Sequence, residues 1–400
     1  MIFALIRERK NPPDNRVALS PVQCVTLKKR FPQVDVWVES SPDRCFSDDD
    51  YREVGIDVME DVLGADVMLG IKEVPIEYLI SDKTYLIFSH TIKKQPYNRM
   101  LLQSILEKNI RLVDYEVLKW ESGQRVLGFG RWAGIIGAYN GLMVYGKRHS
   151  LFNLKPAHLC LDYAEVISEV IVNKLPAIKM VVTGGGRVAK GAVEFLKQVR
   201  VREVTPQQYL NVNYDVPVFT QLNSPDLYVH PDKSEWDTHH FYENGNEYRS
   251  QFLNYVRVSD LIINGIFWNE SLPRLFEVDD LKRDDFKPRV IADISCDVNG
   301  SVPITVRSTS ISDPVLGWDI EASREAGPYL KGGIDVMAVG NLPNELPRDA
   351  SHDFGAMLLQ HVVPELLERN SHLIEKATIA ENGQLGADFN YLSDYILERN

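Results

Sequence analysis

Residues 178–192 read IKMVVTGGGRVAKGA. Ile178–Thr183 is a short apolar run rich in β-formers, and a helical pattern runs on from the glycines to about Gln198. Strand, glycine turn and helix in that order are the context in which such glycines cradle phosphate. Gly184 and Gly186 let the backbone turn tightly and approach a pyrophosphate, whose charge then meets the helix N-terminus opened by Arg187 and Val188. Ala189 takes the last position of the fingerprint, which tolerates alanine. A tight turn without a ligand could use the same glycines. The acidic residue expected about 20 positions on to hold the ribose hydroxyls is Glu203. Arg200 and Arg202 flank it, so NAD and NADP both stay open.

Downstream, Asp260–Asn264 (DLIIN), Arg289–Ile294 (RVIADI) and Ile334–Val339 read as further buried strands. Asn264 and Asp293 are either cofactor-cleft residues or caps of turns. Between them and the glycine turn, Asn211–Tyr255 is polar, aromatic and proline-bearing, and reads as a long excursion. Its adjacent His239 and His240 cannot easily share one face, so no metal site is expected. Upstream, Gly128–Gly134 opens a long helix with small residues at Ala133, Gly134, Gly137, Ala138 and Gly141, which reads as a bridge between domains.

The first 125 residues alternate strand and helix, the signature of a parallel sheet with crossover helices. Ile2–Leu5 is a first strand, followed by a polar turn and a helix capped by Ser20-Pro21. Ala65–Ile71 ends on Lys72 and Glu73; Thr84–Phe88 ends on Ser89, His90 and Thr91. Ligands of open α/β sheets sit outside the carboxyl ends of strands. Lys72 and His90 would thus share one sheet edge with Arg16, a pairing suited to acid–base work on a carbonyl or an amine; the plainer reading is ordinary strand-end polar residues. Asp48–Asp50 is a solvated helix start, and a last helix, about Asp353–Leu367, is expected to kink near Pro364.

At 400 residues the chain calls for two domains, and 44% hydrophobic with 25% charged residues is ordinary globular composition. A net charge of −12 argues against a nucleic-acid surface. Four scattered cysteines without CxxC spacing make no disulfide framework or metal site. No membrane span and no signal peptide are read, so a cytoplasmic protein is expected, a monomer or small homo-oligomer acting on small molecules.

RVALSP (16–21), IKEVP (71–75), KTYLIFSHTIKKQ (83–95), RLVDYE (111–116), RVLGFGRWAG (125–134), TGGGRVAKGA (183–192) and NLPNELPRDAS (341–351) together resemble one family. It comprises the lysine-forming saccharopine dehydrogenases and the lysine–2-oxoglutarate reductase domain, within the alanine dehydrogenase and transhydrogenase superfamily. The resemblance implies an α/β fold of two Rossmann-like domains, each a doubly wound, mainly parallel sheet, with the active site in the interdomain cleft. Residues 1–130 plus 341–400 would form the substrate domain and 131–340 the NAD(P)-binding domain. It also implies reversible joining of L-lysine and 2-oxoglutarate to saccharopine with NAD or NADP. His90 and Lys72 resemble the acid–base pair, Glu73 and Glu116 the carboxylates that bias it, and Arg16 and Arg125 the holders of substrate carboxylates. The glycine loop looks closer to the reductase domain, whereas the free-standing chain looks closer to the NAD-type dehydrogenase. An alanine or other amino-acid dehydrogenase, and a non-catalytic dinucleotide-binding protein, are the alternatives.

Overall fold

A computed structural model describes residues 1–232 and 235–397. Residues 233–234 of the expected excursion and 398–400 of the expected C-terminal segment lie outside the described residues. The chain divides into two compact units, one built from residues 1–129 with the segment from Pro347 onward, the other from Gly130–Leu346.

Strands of the first unit are β1 (Ile2–Leu5), β2 (Asp35–Glu39), β3 (Asp57–Met59), β4 (Val67–Leu69), β5 (Thr84–Ile87) and β6 (Arg111–Asp114). They form a parallel array in the order β6-β5-β4-β1-β2-β3. Helices α1 (Pro21–Arg30), α2 (Asp48–Glu53) and α3 (Pro96–Glu107) lie between them in sequence. The period of two divides the apolar residues between the faces. Phe3, Leu5, Val36, Val38, Val67, Leu69 and Val113 face Cys24 and Leu27 of α1 together with Phe354 and Leu358. Ala4, Met68, Tyr85, Ile87 and Leu112 face Leu101, Leu102 and Ile105 of α3. The chain leaves β1 toward β2 on one side and takes up β4 on the other, so the β1/β4 boundary is the sheet's switch point, where ligands of such folds bind.

The second unit carries α4 (Gly130–His149), α5 (Tyr163–Asn173), β7 (Lys179–Thr183), α6 (Arg187–Gln198), β8 (Arg202–Glu203), β9 (Val218–Leu222), a small ribbon of β10 (Tyr228–Val229) and β11 (Arg249–Ser250), β12 (Leu261–Asn264), β13 (Val290–Asp293), β14 (Val315–Asp319), β15 (Arg324–Ala326) and β16 (Ile334–Met337). The large sheet has the order β15-β14-β16-β13-β12-β7-β9-β8, parallel from β16 to β8. Its switch point falls between β7 and β12. Two last strands extend the first sheet, β17 (Thr378–Glu381) antiparallel to β6 and β18 (Gln384–Leu385) antiparallel to β17. Both units are therefore α/β, each with an eight-stranded, mainly parallel sheet.

The structure corrects the reading of the sequence in places and extends it in others. The 211–255 stretch contains β9, a central strand beside β7; Thr220 and Gln221 interrupt its apolar run, and Asn and Pro flank it. β14, β15, β17 and β18 are antiparallel edge elements with no continuous apolar signature. Helix α4 is no free-standing bridge but a core helix of the second unit, laid against α6 and the sheet. Its small residues provide the close approach: a Cβ on Gly134 would fall 1.9 Å from the carbonyl oxygen of Val188, and one on Gly141 2.8 Å from the Ala292 side chain. The late helix carries a π turn, Leu358–Val362, just ahead of Pro364, where the sequence predicts its irregularity.

Because backbone atoms cannot retreat from the new methyl, Gly134→Ala should cost about 1–3 kcal/mol or more. A urea midpoint unchanged from wild type would show that α4 and α6 are not in that contact.

Candidate active site

At the switch point of the first sheet, the turn after β1 meets the ends of β4 and β5. Glu73 Oε1 lies 2.6 Å from His90 Nδ1, and Lys10 Nζ donates to Glu73 Oε2 at 2.8 Å. Burial pushes the Glu73 carboxyl up, but the hydrogen bonds from His90 and Lys10 outweigh it and hold it at about 2. An ionised Glu73 must accept from Nδ1–H, which leaves Nε2 as the ring nitrogen turned away from the carboxylate. His90 sits in a left-handed backbone conformation (φ +53°), which is sparsely populated outside glycine and found where local geometry is over-determined. The buried Asp114 supplies the determination: it accepts from Ser89 N at 2.9 Å, from the Ser89 hydroxyl and from Glu116 N at 2.6 Å. It thereby fastens the end of β5 to the end of β6.

Lys72 stands beside this relay. Burial lowers its ammonium pKa and the Arg16 charge lowers it further, against the opposing pull of Asp14. Arg16 is itself buried and bidentate on Asp14, with Nε 2.8 Å from Oδ1 and Nη2 2.5 Å from Oδ2. Its guanidinium carbon lies 4.1 Å from the Phe129 ring centroid. Burial raises the Asp14 carboxyl, yet Arg16, and next Lys72, bring it down to about 2. Glu8 accepts from the backbone N–H groups of Ile71 (2.6 Å) and Lys72 (2.9 Å), and burial, with Asp14 adding, pushes its carboxyl up to about 8.

The structure thus brings Lys72, Glu73, His90 and Arg16 to one edge. Glu116 and Arg125 form a separate pair, Arg125 Nη2 donating to Glu116 Oε1 at 2.7 Å with Lys93 at 3.6 Å. The carboxylate bonded to His90 is Glu73. Glu8, Lys10 and Asp14 went unread because the turn after β1 carries polarity but no motif; the switch-point rule applied to β1 was the signal that could have found them.

In the second unit, Gly184 has φ +103°, open to glycine alone at low cost, and a Cβ there would fall 2.8 Å from the Gly265 carbonyl oxygen. A Cβ on Gly186 meets nothing within 4 Å, and Gly186 is the N-cap of α6, so the turn offers a bare backbone approach to an anion at a twelve-residue helix. These residues fit a dinucleotide pyrophosphate. Arg187 opens α6, while the Val188 backbone is taken up against α4. Glu203 does not stand at this turn. It lies on the outer edge strand β8, level with Phe219, and pairs with Lys197 at 2.7 Å. The residue following the strand beside β7 is Asn223, whose side chain abuts Gly185: a Cβ there would meet Asn223 Oδ1 at 2.5 Å. Sequence spacing alone could not give this, because the first strand after α6 goes to the sheet edge.

Asn264 and Asp293 are level with Thr183 across β7, β12 and β13, and all three are fully buried. Thr183 Oγ1 donates to Asn264 Oδ1 at 2.6 Å, and Asn264 Nδ2 donates to Asp293 Oδ1 at 2.8 Å. Asp293 also accepts from Ser295 at 2.7 Å and Thr305 at 2.5 Å. Burial raises its carboxyl pKa despite these bonds. The row is an internal brace beneath the glycine turn, not an exposed contact surface. Among the described residues no His/Cys/Asp/Glu group is arranged to hold a metal, His239 and His240 included, and no helix is long and apolar enough to cross a membrane.

The fold is of the two-domain, Rossmann-like α/β kind, with a mainly parallel eight-stranded sheet in each unit. An L-alanine dehydrogenase matches it over 99% of this chain at TM-score 0.65 and 16% identity. A transhydrogenase from Sinorhizobium meliloti matches over 96% at TM-score 0.58 and 14% identity. Residues 4–136 match the family described as alanine dehydrogenase/PNT, N-terminal domain. In sequence, the chain is 28% identical to the mitochondrial alpha-aminoadipic semialdehyde synthase of Mus musculus, over 98% of this chain and 47% of that protein. It is 26% identical to the synthase of Arabidopsis thaliana, over 98% of this chain and 41% of that protein. The chain thus spans about half the length of these synthases or less. To the saccharopine dehydrogenase (NAD(+), L-lysine-forming) of Yarrowia lipolytica it is 25% identical, over 91% of each chain.

The Glu8 environment has a thermodynamic consequence. An unfolded Glu8 ionises around its ordinary value of 4.5, whereas the folded carboxyl holds its proton to about 8. Its contribution to stability is present below 4.5 and is lost as pH rises toward 8. Glu8→Gln should therefore gain melting temperature over wild type between pH 5 and pH 8. A difference independent of pH would contradict the assignment.

Proposed function

We propose that this chain is a nicotinamide-dependent oxidoreductase that interconverts saccharopine with L-lysine and 2-oxoglutarate. The observation that carries the reading is the delivery of Lys72 and His90 from the carboxyl ends of adjacent parallel strands, β4 and β5, with Glu73 bonded to His90. Similarity to the saccharopine dehydrogenases over nine-tenths of both chains supports the same substrate class.

Joining an amine to a keto acid needs proton transfers in sequence. The ε-amine must lose a proton before attacking the keto carbon, and the carbinolamine must gain one to lose water. Lys72, its ammonium pKa lowered by burial and by Arg16, is placed to give up and take back a proton. His90 Nε2 is the second exchanging atom, with Glu73 holding its ring. Saccharopine carries three carboxylates, for which the guanidinium group of Arg125 would be a planar partner and that of Arg16 a nearby positive charge. Arg16 keeps its fork on Asp14 and acts at least through its charge; Arg125 would exchange Glu116 for substrate. The Gly184–Gly186 turn and the start of α6 would hold the dinucleotide, which supplies or receives hydride. Asn223, a neutral side chain, raises no charge barrier against a 2′-phosphate, so NADP and NAD are both accepted candidates.

The test is NAD(P)H absorbance with purified protein, L-lysine and 2-oxoglutarate, with pyruvate plus ammonia as control. Oxidation is expected only with both substrates present, and His90→Gln should lower turnover about 10²–10⁴-fold. Turnover with pyruvate and ammonia but not with lysine would assign the chain to alanine dehydrogenation instead.

A further inference from the structure

The loop that carries His90 is bounded by two left-handed residues. His90 has φ +53° and Lys94 φ +52°, with a 3-10 turn, Thr91–Lys93, between them. For residues other than glycine this region is sparsely populated, and it persists where the surroundings over-determine it. Inside the loop, Lys93 N donates to the His90 carbonyl and Lys94 N to the Thr91 carbonyl, both at 3.1 Å. These bonds are local, so they close the turn without fixing its place on the sheet edge. The leading end is fixed by Asp114, which accepts from Ser89 N at 2.9 Å. The trailing end is Gln95, the N-cap of α3, and its carbonyl oxygen accepts from the Tyr395 hydroxyl at 2.5 Å.

Tyr395 lies 300 positions further along the chain, in a short helix, Ser393–Leu397, that follows β18 in the first unit. It is 4% exposed, and with Phe389 and Leu392 it packs in one apolar cluster with Leu101, Leu102 and Ile105 of α3. Gln103 Nε2 of α3 donates to the Ile396 carbonyl at 2.7 Å. The Arg99 guanidinium carbon stands 5.3 Å from the Tyr395 ring centroid, and the Lys94 ammonium 5.2 Å from that of Tyr391. Burial thus seats this segment on α3, and one directed bond reaches from it to the residue where the left-handed Lys94 hands the chain over to the helix. A buried tyrosine hydroxyl needs some acceptor; this one takes the backbone at the far end of a strained loop. We propose that Tyr395 is a positioning residue for His90. Its bond to Gln95 anchors the trailing end of the loop as Asp114 anchors the leading end, and between the two anchors Nδ1 is kept on Glu73. The effect on turnover rests on the role assigned to His90 above; the anchoring of the loop does not.

The experiment uses Tyr395→Phe in the full chain, which keeps the buried ring and deletes only the hydroxyl. Hydrogen exchange read by peptide mass spectrometry should be about three- to tenfold faster over residues 91–98, the factor one net hydrogen bond supports, with β4 and β5 unchanged. With whichever substrate pair turns over in wild type, lysine plus 2-oxoglutarate or pyruvate plus ammonia, kcat should fall by about the same factor and KM for the dinucleotide should stay. Lys94→Gly removes the conformational cost that the bond opposes, so in that background Tyr395→Phe should lose less on both readouts. Exchange over 91–98 equal to wild type would overturn the anchoring. Faster exchange with kcat unchanged would overturn the positioning of His90, and an undiminished loss in the Lys94→Gly background would show that strain is not what the bond holds. Wild-type protein silent with both substrate pairs would count against the proposed reaction, while the exchange result would still decide the anchoring.

Discussion

The Glu73 carboxylate is shared between Lys10, in the turn after β1, and His90, which leaves β5, while Glu73 itself follows β4. Three chain segments distant in sequence are held by two charge-assisted hydrogen bonds at 2.6 and 2.8 Å. The sheet makes this possible: β1, β4 and β5 are consecutive parallel neighbours, so their carboxyl ends open on the same edge. Around the relay, Asp14 and Arg16 act in opposite directions on Glu8 and on Lys72, and Arg16 and Lys72 together hold Asp14 ionised.

The second unit answers a different requirement. Its glycine turn must leave backbone exposed and still hold its shape. The buried row Thr183–Asn264–Asp293, with Ser295 and Thr305, fixes the ends of three strands directly below the turn. Close passage of Gly184 against Gly265 and of α6 against α4 does the rest. Asn264 and Asp293 sit at strand ends, as a reading for ligand contact would place them, but the hydrogen bonds point inward.

Elements with a strong local pattern were legible in the sequence. The apolar strands β1, β5, β7, β12 and β13 and the glycine turn could be read because their signals lie within a few residues of one another. What could not be read depends on pairing across long separations. β9 hides among polar residues because its burial comes from β7 and β8 on either side. Glu203 has the spacing of a ribose-binding acid, but its strand goes to the edge, leaving Asn223 near the turn. Lys72, His90 and Arg16 were found from strand-end position and from family resemblance. Glu8, Lys10 and Asp14 required knowing that β1 lies at the switch point.

In the proposed reaction Glu73 would govern the protonation of Lys72 and His90, through its charge and its bond to His90. The most direct test is the pH dependence of kcat/KM for Glu73→Gln beside wild type in the lysine plus 2-oxoglutarate reaction. Removing that negative charge should move the acid limb of the profile to lower pH while turnover persists. A profile superimposable on wild type would contradict the account.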